Sequence, residues 1–361
     1  MKSKKNIVSF AEYVSPGHPD SMCDIISCYL LDKYIEKDPN TRYAVEVLAK
    51  GNDIFLGGEV TSKAKFSKRE IRRFVREAIE SIGYTHEYAT VWGRGNTIDP
   101  DNLNIKIRIS EQSPEIGQGV SANGWGDQGI FYGYADIHGD EYGMPLAHSY
   151  AKSLCYELYD EALNRGIGGL DIKTEILMSD DQIQKVIAAV PCRDDDEYDA
   201  VVQTILEWLK EKTNDQQPEE IILNGTGNYV MHSSIADCGV TGRKLAVNFY
   251  GGASMIGGGA VLCKDASKAD VSLNLYARKL AKEFCVKEGA SVRAELACCI
   301  GKSTVDYQIL EPCGDVIKNG TIEITPEQVK KDFHLDTPIF ASMARFGIFG
   351  EFQKDKEWEK V

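Results

Sequence analysis

Charged residues are concentrated among glycines in one tract of the C-terminal half of the sequence, residues 237–270. The tract contains four cations and three carboxylates, namely Arg243, Lys244, Lys264, Lys268, Asp237, Asp265 and Asp270. Glycines allow the backbone to come close to a ligand, and grouped cations attract an anionic one. Binding of a polyphosphate with its metal ions requires this combination. Solvated surface charge explains single residues of the tract but not their concentration.

The tract matches neither of two common nucleotide-binding motifs. The glycine spacing of a P-loop runs from Gly252 to Gly257, but Gly258 stands where that motif requires lysine. A dinucleotide fingerprint needs a glycine-rich turn between a strand and a helix, and no such unit is predicted here. We therefore expect a polyphosphate site of another type.

A second candidate site lies at the predicted start of a helix, in residues 15–20. His18 and Asp20 are two residues apart there, and the N–H groups of a helix start favour an anion. His18 could donate a hydrogen bond or carry positive charge to phosphate, and Asp20 could hold Mg²⁺. The simpler alternative is that Pro19 begins the helix and Asp20 only complements its dipole.

Other candidate residues carry weaker signals. Glu46 interrupts an apolar strand, and Glu59 follows two glycines. Either carboxylate could simply face solvent on the alternation of a strand, although the glycines make Glu59 the better ligand contact. Residues 111–129 are typical either of a flexible lid that ends near Asp127 or of an ordinary surface loop. Residues 171–173, at the start of the second predicted hairpin, give only a weak signal of function by themselves.

Composition narrows the class of protein. The chain has 361 residues and a net charge of −14, which argues against a nucleic-acid binder, because such proteins are usually basic. No apolar run reaches the roughly 18 residues of a membrane span, and no apolar signal core follows the basic start. The ten cysteines form no C-x-x-C pair, which predicts reduced, mostly buried thiols. We expect a cytoplasmic protein without nucleic-acid or membrane partners.

The chain repeats one plan three times, in which a helix, a two-stranded hairpin and a second helix follow one another. The opening helices begin at Pro19, Pro145 and Lys268, at nearly equal spacing. The predicted strands are 43–49 and 54–60, 172–178 and 182–189, and 292–299 and 304–310; the closing helices are 67–82, 194–212 and one from Pro326. Chance recurrence is the alternative. We prefer a pseudo-threefold α+β fold with domains 1–110, 111–230 and 231–361, whose uncovered sheet faces predict an oligomer.

Taken together, these segments resemble one enzyme family, the S-adenosylmethionine synthetases. The matching motifs are Gly17-His18-Pro19-Asp20, Gly57-Gly58-Glu59, Glu111-Gln112-Ser113-Pro114, Gly126-Asp127-Gln128-Gly129, Asp237-Cys238-Gly239-Val240-Thr241-Gly242-Arg243-Lys244, and Gly257-Gly258-Gly259-Ala260 with Lys264-Asp265. They occur in the order of the family and span nearly the whole chain. The pseudo-threefold repeat of that family is similar to the three copies predicted above.

The resemblance implies synthesis of S-adenosylmethionine from ATP and L-methionine. The methionine sulfur attacks C5′ of ATP and displaces the triphosphate, which is hydrolysed to pyrophosphate and phosphate before release. A thioether is already a nucleophile at neutral pH, so placement of the sulfur and stabilisation of the departing charge dominate. The resemblance also implies two Mg²⁺ and one K⁺ per site, and a site between subunits of at least a homodimer, or of a tetramer.

The resemblance assigns roles to individual residues. The triphosphate contacts are His18, Lys173, Arg243, Lys244, Lys264 and Lys268. The Mg²⁺ ligands are Asp20 and Asp270, and the K⁺ ligand is Glu46. The methionine contacts are Glu59, Gln112 and Asp237, the contacts around the nucleoside are Asp127 and Asp171, and Tyr229 and Ile300 pack against adenine. Two alternatives remain open: a non-catalytic ATP-binding regulatory paralogue, and adenosyl transfer to a different thioether.

Several positions beside these residues depart from the family pattern. Ser21 replaces a lysine, Trp125 replaces a small residue, and the loop 121–124 is shorter than the usual gate. Residues 261–263 and Val271 also differ. Because the main charged residues are retained, we expect a working but divergent enzyme. Trp125 could stack on a ligand or plug the shortened lid, and we favour the plug.

Overall fold

The computed structural model describes residues 8–111 and 124–361. Its strands are β1 Val8–Val14, β2 Arg42–Lys50, β3 Asp53–Thr61, β4 Asn104–Ser110, β5 Gly129–Ala135, β6 Lys173–Ser179, β7 Gln182–Ala189, β8 Glu220–Leu223, β9 Gly239–Val240, β10 Val292–Cys298, β11 Thr304–Leu310 and β12 Val316–Glu323. Its helices are α1 Pro19–Ile35, α2 Lys68–Ile82, α3 His86–Trp92, α4 Leu146–Asn164, α5 Asp195–Lys212, α6 Ser233–Ala236, α7 Leu245–Asn248, α8 Ala269–Glu288, α9 Pro326–Asp332 and α10 Phe340–Phe346. Short 3₁₀ helices cover Pro100–Asn102 and Glu351–Gln353.

Local sequence signals set the ends of the helices. Ser67 accepts a hydrogen bond from the Glu70 amide, and the Glu70 side chain accepts one from the Ser67 amide, so the predicted capping box begins α2. Pro19 occupies the first turn of α1, where its missing N–H costs nothing. Asp194 caps α5. The repeated helix, hairpin and helix are thus confirmed to within a residue or two.

Three four-stranded sheets are each built around one of the predicted hairpins. The strand orders are β4-β3-β2-β9, β1-β6-β7-β8 and β12-β11-β10-β5. The three hairpins β2–β3, β6–β7 and β10–β11 are antiparallel, whereas β4 and β8 add to them in parallel. This arrangement confirms the mixed α+β fold.

One strand in every sheet comes from a distant part of the chain. Strand β1 pairs with β6, with Val8 opposite Ser179. Strand β5 pairs with β10, and β9 pairs with β2. The domain boundaries at 110/111 and 230/231 stay a prediction, but every sheet draws a strand from a neighbouring segment. The three units are therefore interlocked through backbone hydrogen bonds.

The opening helix of each repeat lies in the core. Helix α1 is buried on nearly every side, and α4 and α8 bury most of their apolar residues. All ten cysteines are free, and seven of them are buried, as predicted for small apolar side chains. Within the described residues, no helix has the length and apolar character needed to cross a membrane.

Candidate active site

The first turn of α1 is joined directly to the glycine-rich tract. The Asp20 side chain is buried, and its Oδ2 lies 2.6 Å from Nζ of Lys244. Its Oδ1 accepts a hydrogen bond from the Val240 amide at 2.9 Å and lies 3.4 Å from Nε of Arg243. Asp20 therefore does more than complement a helix dipole, because it holds two cations of the tract.

His18 caps α1 beside this cluster. Its Nδ1 accepts a hydrogen bond from the Asp20 amide at 3.1 Å, which places the ring proton on Nε2. Burial, assisted by the positive charge of Lys244, lowers the pKa of His18 to about 4. Of the two roles considered from the sequence, the structure favours a neutral hydrogen-bond donor over a cation.

Glu46 connects the two halves of the tract. It lies on β2, and one carboxylate oxygen accepts a hydrogen bond from the hydroxyl of Thr241. The other oxygen accepts one from the thiol of Cys263 at 3.2 Å. Thr241 precedes the cations at 243 and 244, and Cys263 precedes Lys264. A single carboxylate of the N-terminal sheet thus ties both cationic segments together.

The start of α8 forms a second charged group. Nζ of Lys264 lies 2.6 Å from Oδ2 of Asp270, and Oδ1 of Asp270 accepts a hydrogen bond from the Gly259 amide at 2.6 Å. Gly258 has φ +76°, and a Cβ there would crowd Asp270, so this approach requires glycine. Lys268 is the residue before the helix, and its backbone carbonyl accepts hydrogen bonds from the first turn.

The central repeat supplies a buried carboxyl group. Oδ2 of Asp171 accepts a hydrogen bond from the Ser233 amide at 2.8 Å, and the Tyr229 hydroxyl donates to the Asp171 carbonyl at 3.1 Å. Burial raises the pKa of Asp171 to about 7. Nearby, Lys173 pairs with Glu12 of β1 at 2.6 Å.

The remaining predicted residues that the structure describes are half-buried or exposed. Glu59 is half-buried on β3, where Gly58 passes so close to the Ala44 carbonyl that a side chain would clash. Asp237 and Asp127 are exposed, and Ile300 exposes 52% of its surface. Gln112 lies outside the described residues.

Electrostatic effects on pKa values show which of these residues lie close to one another. Lys244, Asp20, Lys173 and Asp237 all shift the pKa of His18, and Asp237 and Asp20 both raise the pKa of Asp171. Burial raises the pKa of Cys298 to about 11, and Asp127 and Asp270 add to that shift. Lys173, Asp171 and Asp237 thus lie within electrostatic reach of the group at the start of α1, and Asp127 and Asp270 act on the same thiol near the start of α8.

Two residues of these groups were missed in the sequence. Asp24 is buried one turn after Asp20 and accepts a hydrogen bond from the Gly242 amide at 2.8 Å. A carboxylate among the apolar residues Met22, Ile25 and Ile26 was the available signal. Glu12, the partner of Lys173, lies on a strand that was not predicted.

The positions that depart from the family pattern are mainly packing positions. Trp125 is fully buried, and its Nε1–H donates to the Ile324 carbonyl at 3.1 Å, as expected of a core residue and not of a side chain that stacks on a ligand. Val261, Leu262, Cys263 and Val271 are also buried. The shortened loop before Gly124 falls mostly outside the described residues.

Comparisons with known proteins agree with this geometry. Residues 6–114 match the N-terminal domain of S-adenosylmethionine synthetase, and residues 231–360 match its C-terminal domain. The chain is 32% identical to an S-adenosylmethionine synthase of Mycobacterium marinum, with 99% of this chain and 97% of that protein covered. It is also 32% identical to that of Mycolicibacterium gilvum, with 97% and 96% covered.

A solved structure with this fold is described as an unusual S-adenosylmethionine synthetase from Campylobacter jejuni. It superposes with a TM-score of 0.86 at 33% sequence identity, and the match covers 98% of this chain and 96% of that one. The order of motifs, the three interlocked sheets and these full-length likenesses agree. The chain belongs to the S-adenosylmethionine synthetase family.

Proposed function

We propose that this chain synthesises S-adenosylmethionine from ATP and L-methionine by attack of the methionine sulfur on C5′ of ATP. The displaced triphosphate is then hydrolysed to pyrophosphate and phosphate. The observation that carries the proposal is the cluster at Asp20, where a buried carboxylate holds Lys244 and Arg243 beside His18. Family membership supplies the reaction class, and the cluster supplies the cations that a leaving triphosphate needs.

The cations are arranged for the developing charge of the triphosphate. Those assigned to it are Arg243, Lys244, Lys264, Lys268 and Lys173, with His18 as a neutral donor through Nε2–H. Lys244 and Lys264 are each held 2.6 Å from a carboxylate, so the folded chain already keeps both cations at the site. Cations kept close in this way can stabilise the charge that moves onto the leaving group.

The carboxylates of the two groups fit metal ions. Asp20 and Asp270 present hard oxygen atoms, which Mg²⁺ prefers, and each is paired with a lysine in this structure. We assign two Mg²⁺ per site to them and one K⁺ to Glu46. Mg²⁺ held by these carboxylates would neutralise charge on the polyphosphate oxygens. The thiol of Cys263 on Glu46 is a soft group that K⁺ does not favour, so the oxygen atoms of Glu46 carry that assignment.

The other residues place methionine and the nucleoside. We assign methionine to Glu59, Gln112 and Asp237, the surroundings of the nucleoside to Asp127 and Asp171, and adenine to Tyr229 and Ile300. The exposure of Ile300 and of apolar side chains on the sheets, such as Phe10 and Phe55, supports a homodimer at least, with a second subunit completing the site. Ten free cysteines support a reducing compartment, the cytoplasm.

Incubation of the purified protein with ATP, L-methionine, MgCl₂ and KCl tests the proposal. Mass spectrometry should detect S-adenosylmethionine, and ³¹P NMR should show pyrophosphate and phosphate in equal amounts. Intact ATP binding without product would overturn the proposal in favour of a regulatory paralogue. Much faster reaction with a methionine analogue would instead indicate a different thioether substrate.

A further inference from the structure

A short backbone segment before the cations is held from two sides. Asp20 and Asp24 are one turn apart on α1, and they accept hydrogen bonds from the amides of Val240 and Gly242 at 2.9 and 2.8 Å. The amide of the intervening Thr241 points the other way and donates to the Val47 carbonyl at 3.0 Å. Successive residues are therefore bonded alternately to helix α1 and strand β2.

Gly242 is the point at which this segment turns toward the active site. Its φ of +73° is a left-handed conformation, and a Cβ there would overlap Ala260. The next two residues are Arg243 and Lys244, whose charged groups reach Asp20. The position of the Gly242 amide therefore determines where the backbones of Arg243 and Lys244 lie.

We propose that Asp24 is a positioning residue that fixes Arg243 and Lys244 for the triphosphate by holding the Gly242 amide. Asp24 is 1% exposed, so it acts through the backbone and does not touch substrate. The inference rests on the proposed function, since it concerns the same site and names a residue that supports its cations.

Burial of the Asp24 carboxyl group costs free energy, which supports a specific role for this side chain. Asp24 shares α1 with Met22, Ile25 and Ile26, all of them buried, and an apolar side chain there would avoid the penalty for an enclosed carboxyl group. Burial raises the pKa of Asp24 well above its usual range, although the Gly242 amide opposes the shift. A hydrogen-bond acceptor is needed at this position, and an amide oxygen can replace the carboxylate in that task.

Binding of inorganic tripolyphosphate in the presence of MgCl₂, measured by calorimetry on the full chain, tests this role. Asp24→Ala should weaken tripolyphosphate binding by about tenfold, the effect of losing one buried hydrogen bond, and should raise the KM for ATP. The KM for methionine should change little, because Glu59 lies on β3 and the Asp237 amide is held by the Ser233 carbonyl of α6. Asp24→Asn should restore most of the tripolyphosphate binding.

A double-mutant cycle separates positioning from general stability. If Asp24 acts through Lys244, adding Asp24→Ala to Lys244→Ala should weaken tripolyphosphate binding much less than it does in the wild type. Should Asp24→Ala fail to fold, Gly242→Ala displaces the same amide from the opposite side and should give the same selective loss.

Two results would overturn the inference. One is wild-type tripolyphosphate binding in both Asp24→Ala and Gly242→Ala, and the other is an equal loss of methionine and tripolyphosphate binding. The calorimetric measurement does not depend on product formation. Absence of S-adenosylmethionine from the wild-type reaction would therefore contradict the proposed function and leave the positioning test readable.

Discussion

Nζ of Lys244 lies 2.6 Å from Oδ2 of Asp20, whose side chain is 1% exposed. This ion pair joins residues 224 positions apart in the sequence. A buried carboxylate that loses its partner is costly, so the pair contributes to folding as well as to the site.

Replacement of Lys244 should therefore reduce stability as well as activity. Lys244→Met should lower the free energy of unfolding by about 2 kcal/mol, less than the roughly 3–5 kcal/mol of a fully buried pair because Arg243 remains near Asp20. The double variant Asp20→Asn with Lys244→Met should recover most of that stability but no activity. Urea denaturation and product assays measure the two effects. Unchanged stability of Lys244→Met would show that Asp20 does not depend on this partner.

Lys268 should matter for turnover and not for folding. Its backbone N–H donates to the Asp265 carbonyl and its carbonyl accepts from the Val271 and Ser272 amides, but within the described chain its side chain forms no cap hydrogen bond. Lys268→Met should keep the melting temperature and lower kcat by several orders of magnitude. Loss of one hydrogen-bond donor to the transition state alone lowers kcat by about 10²–10³-fold. Lys287→Met, at the exposed end of the same helix, is the matched control. A kcat within a few fold of wild type would refute the assignment of Lys268 to the triphosphate.

Trp125 should behave as a core residue. Trp125→Ala should cost about 3–5 kcal/mol of stability, and Trp125→Phe about 1–2 kcal/mol, because the Ile324 carbonyl loses its donor. The fluorescence difference between wild type and Trp125→Phe should not change when ATP is added. Quenching of that difference by ATP would favour stacking of the indole on the nucleotide.

A buried ion pair holds the C-terminal residues against helix α8. Nη2 of Arg278 lies 2.9 Å from Oε2 of Glu359, with both side chains enclosed, and Lys282 lies 2.9 Å from the same oxygen. Glu359→Gln should lower the free energy of unfolding at pH 7 by about 3 kcal/mol. The control Glu357→Gln, which removes an exposed pair with Lys360, should cost well under about 1 kcal/mol.

The contribution of Glu359 should also depend on pH. Burial by itself raises the pKa of Glu359, but the attraction of Arg278 and Lys282 outweighs it, so the pKa lies below its usual value. The folded protein then binds fewer protons than the unfolded chain, and the contribution is complete above about pH 4.3 and is lost as the pH falls further. Denaturation curves of wild type and Glu359→Gln should converge at low pH. If the difference in stability between the two proteins instead grew as the pH fell, folding would raise the pKa of Glu359 and not lower it.

Local structure was predictable because its signals lie within a few residues. The capping box at Ser67, the proline at the start of α1 and the alternation of the hairpin strands each act over one or two turns or one strand pair. Strands β1, β5 and β9 were not predicted, since their partners are far away in the sequence and they carry little pattern of their own.

The sequence indicated which residues belong to the site but not which of them contact one another. The resemblance selected Asp20 and Lys244, yet no spacing in the sequence states that they form an ion pair. Asp24 was missed because a carboxylate on a helix is normally exposed, and only the structure shows the Gly242 amide against it. Trp125 is buried, as expected of a packing residue, whereas its closure of the shortened lid stays a prediction.

The exchange of strands between sheets has a consequence for synthesis on the ribosome. Strand β1 is synthesised well before its partner β6, and Ser15 next to it bonds to Leu170, 155 positions later. Strand β5 must likewise wait for β10. Pairings of such high contact order form slowly, so the nascent chain exposes unpaired strand edges until nearly all of it has been made. A chain built in this way is expected to depend on chaperones that shield those edges, and to resist division into independently folding thirds.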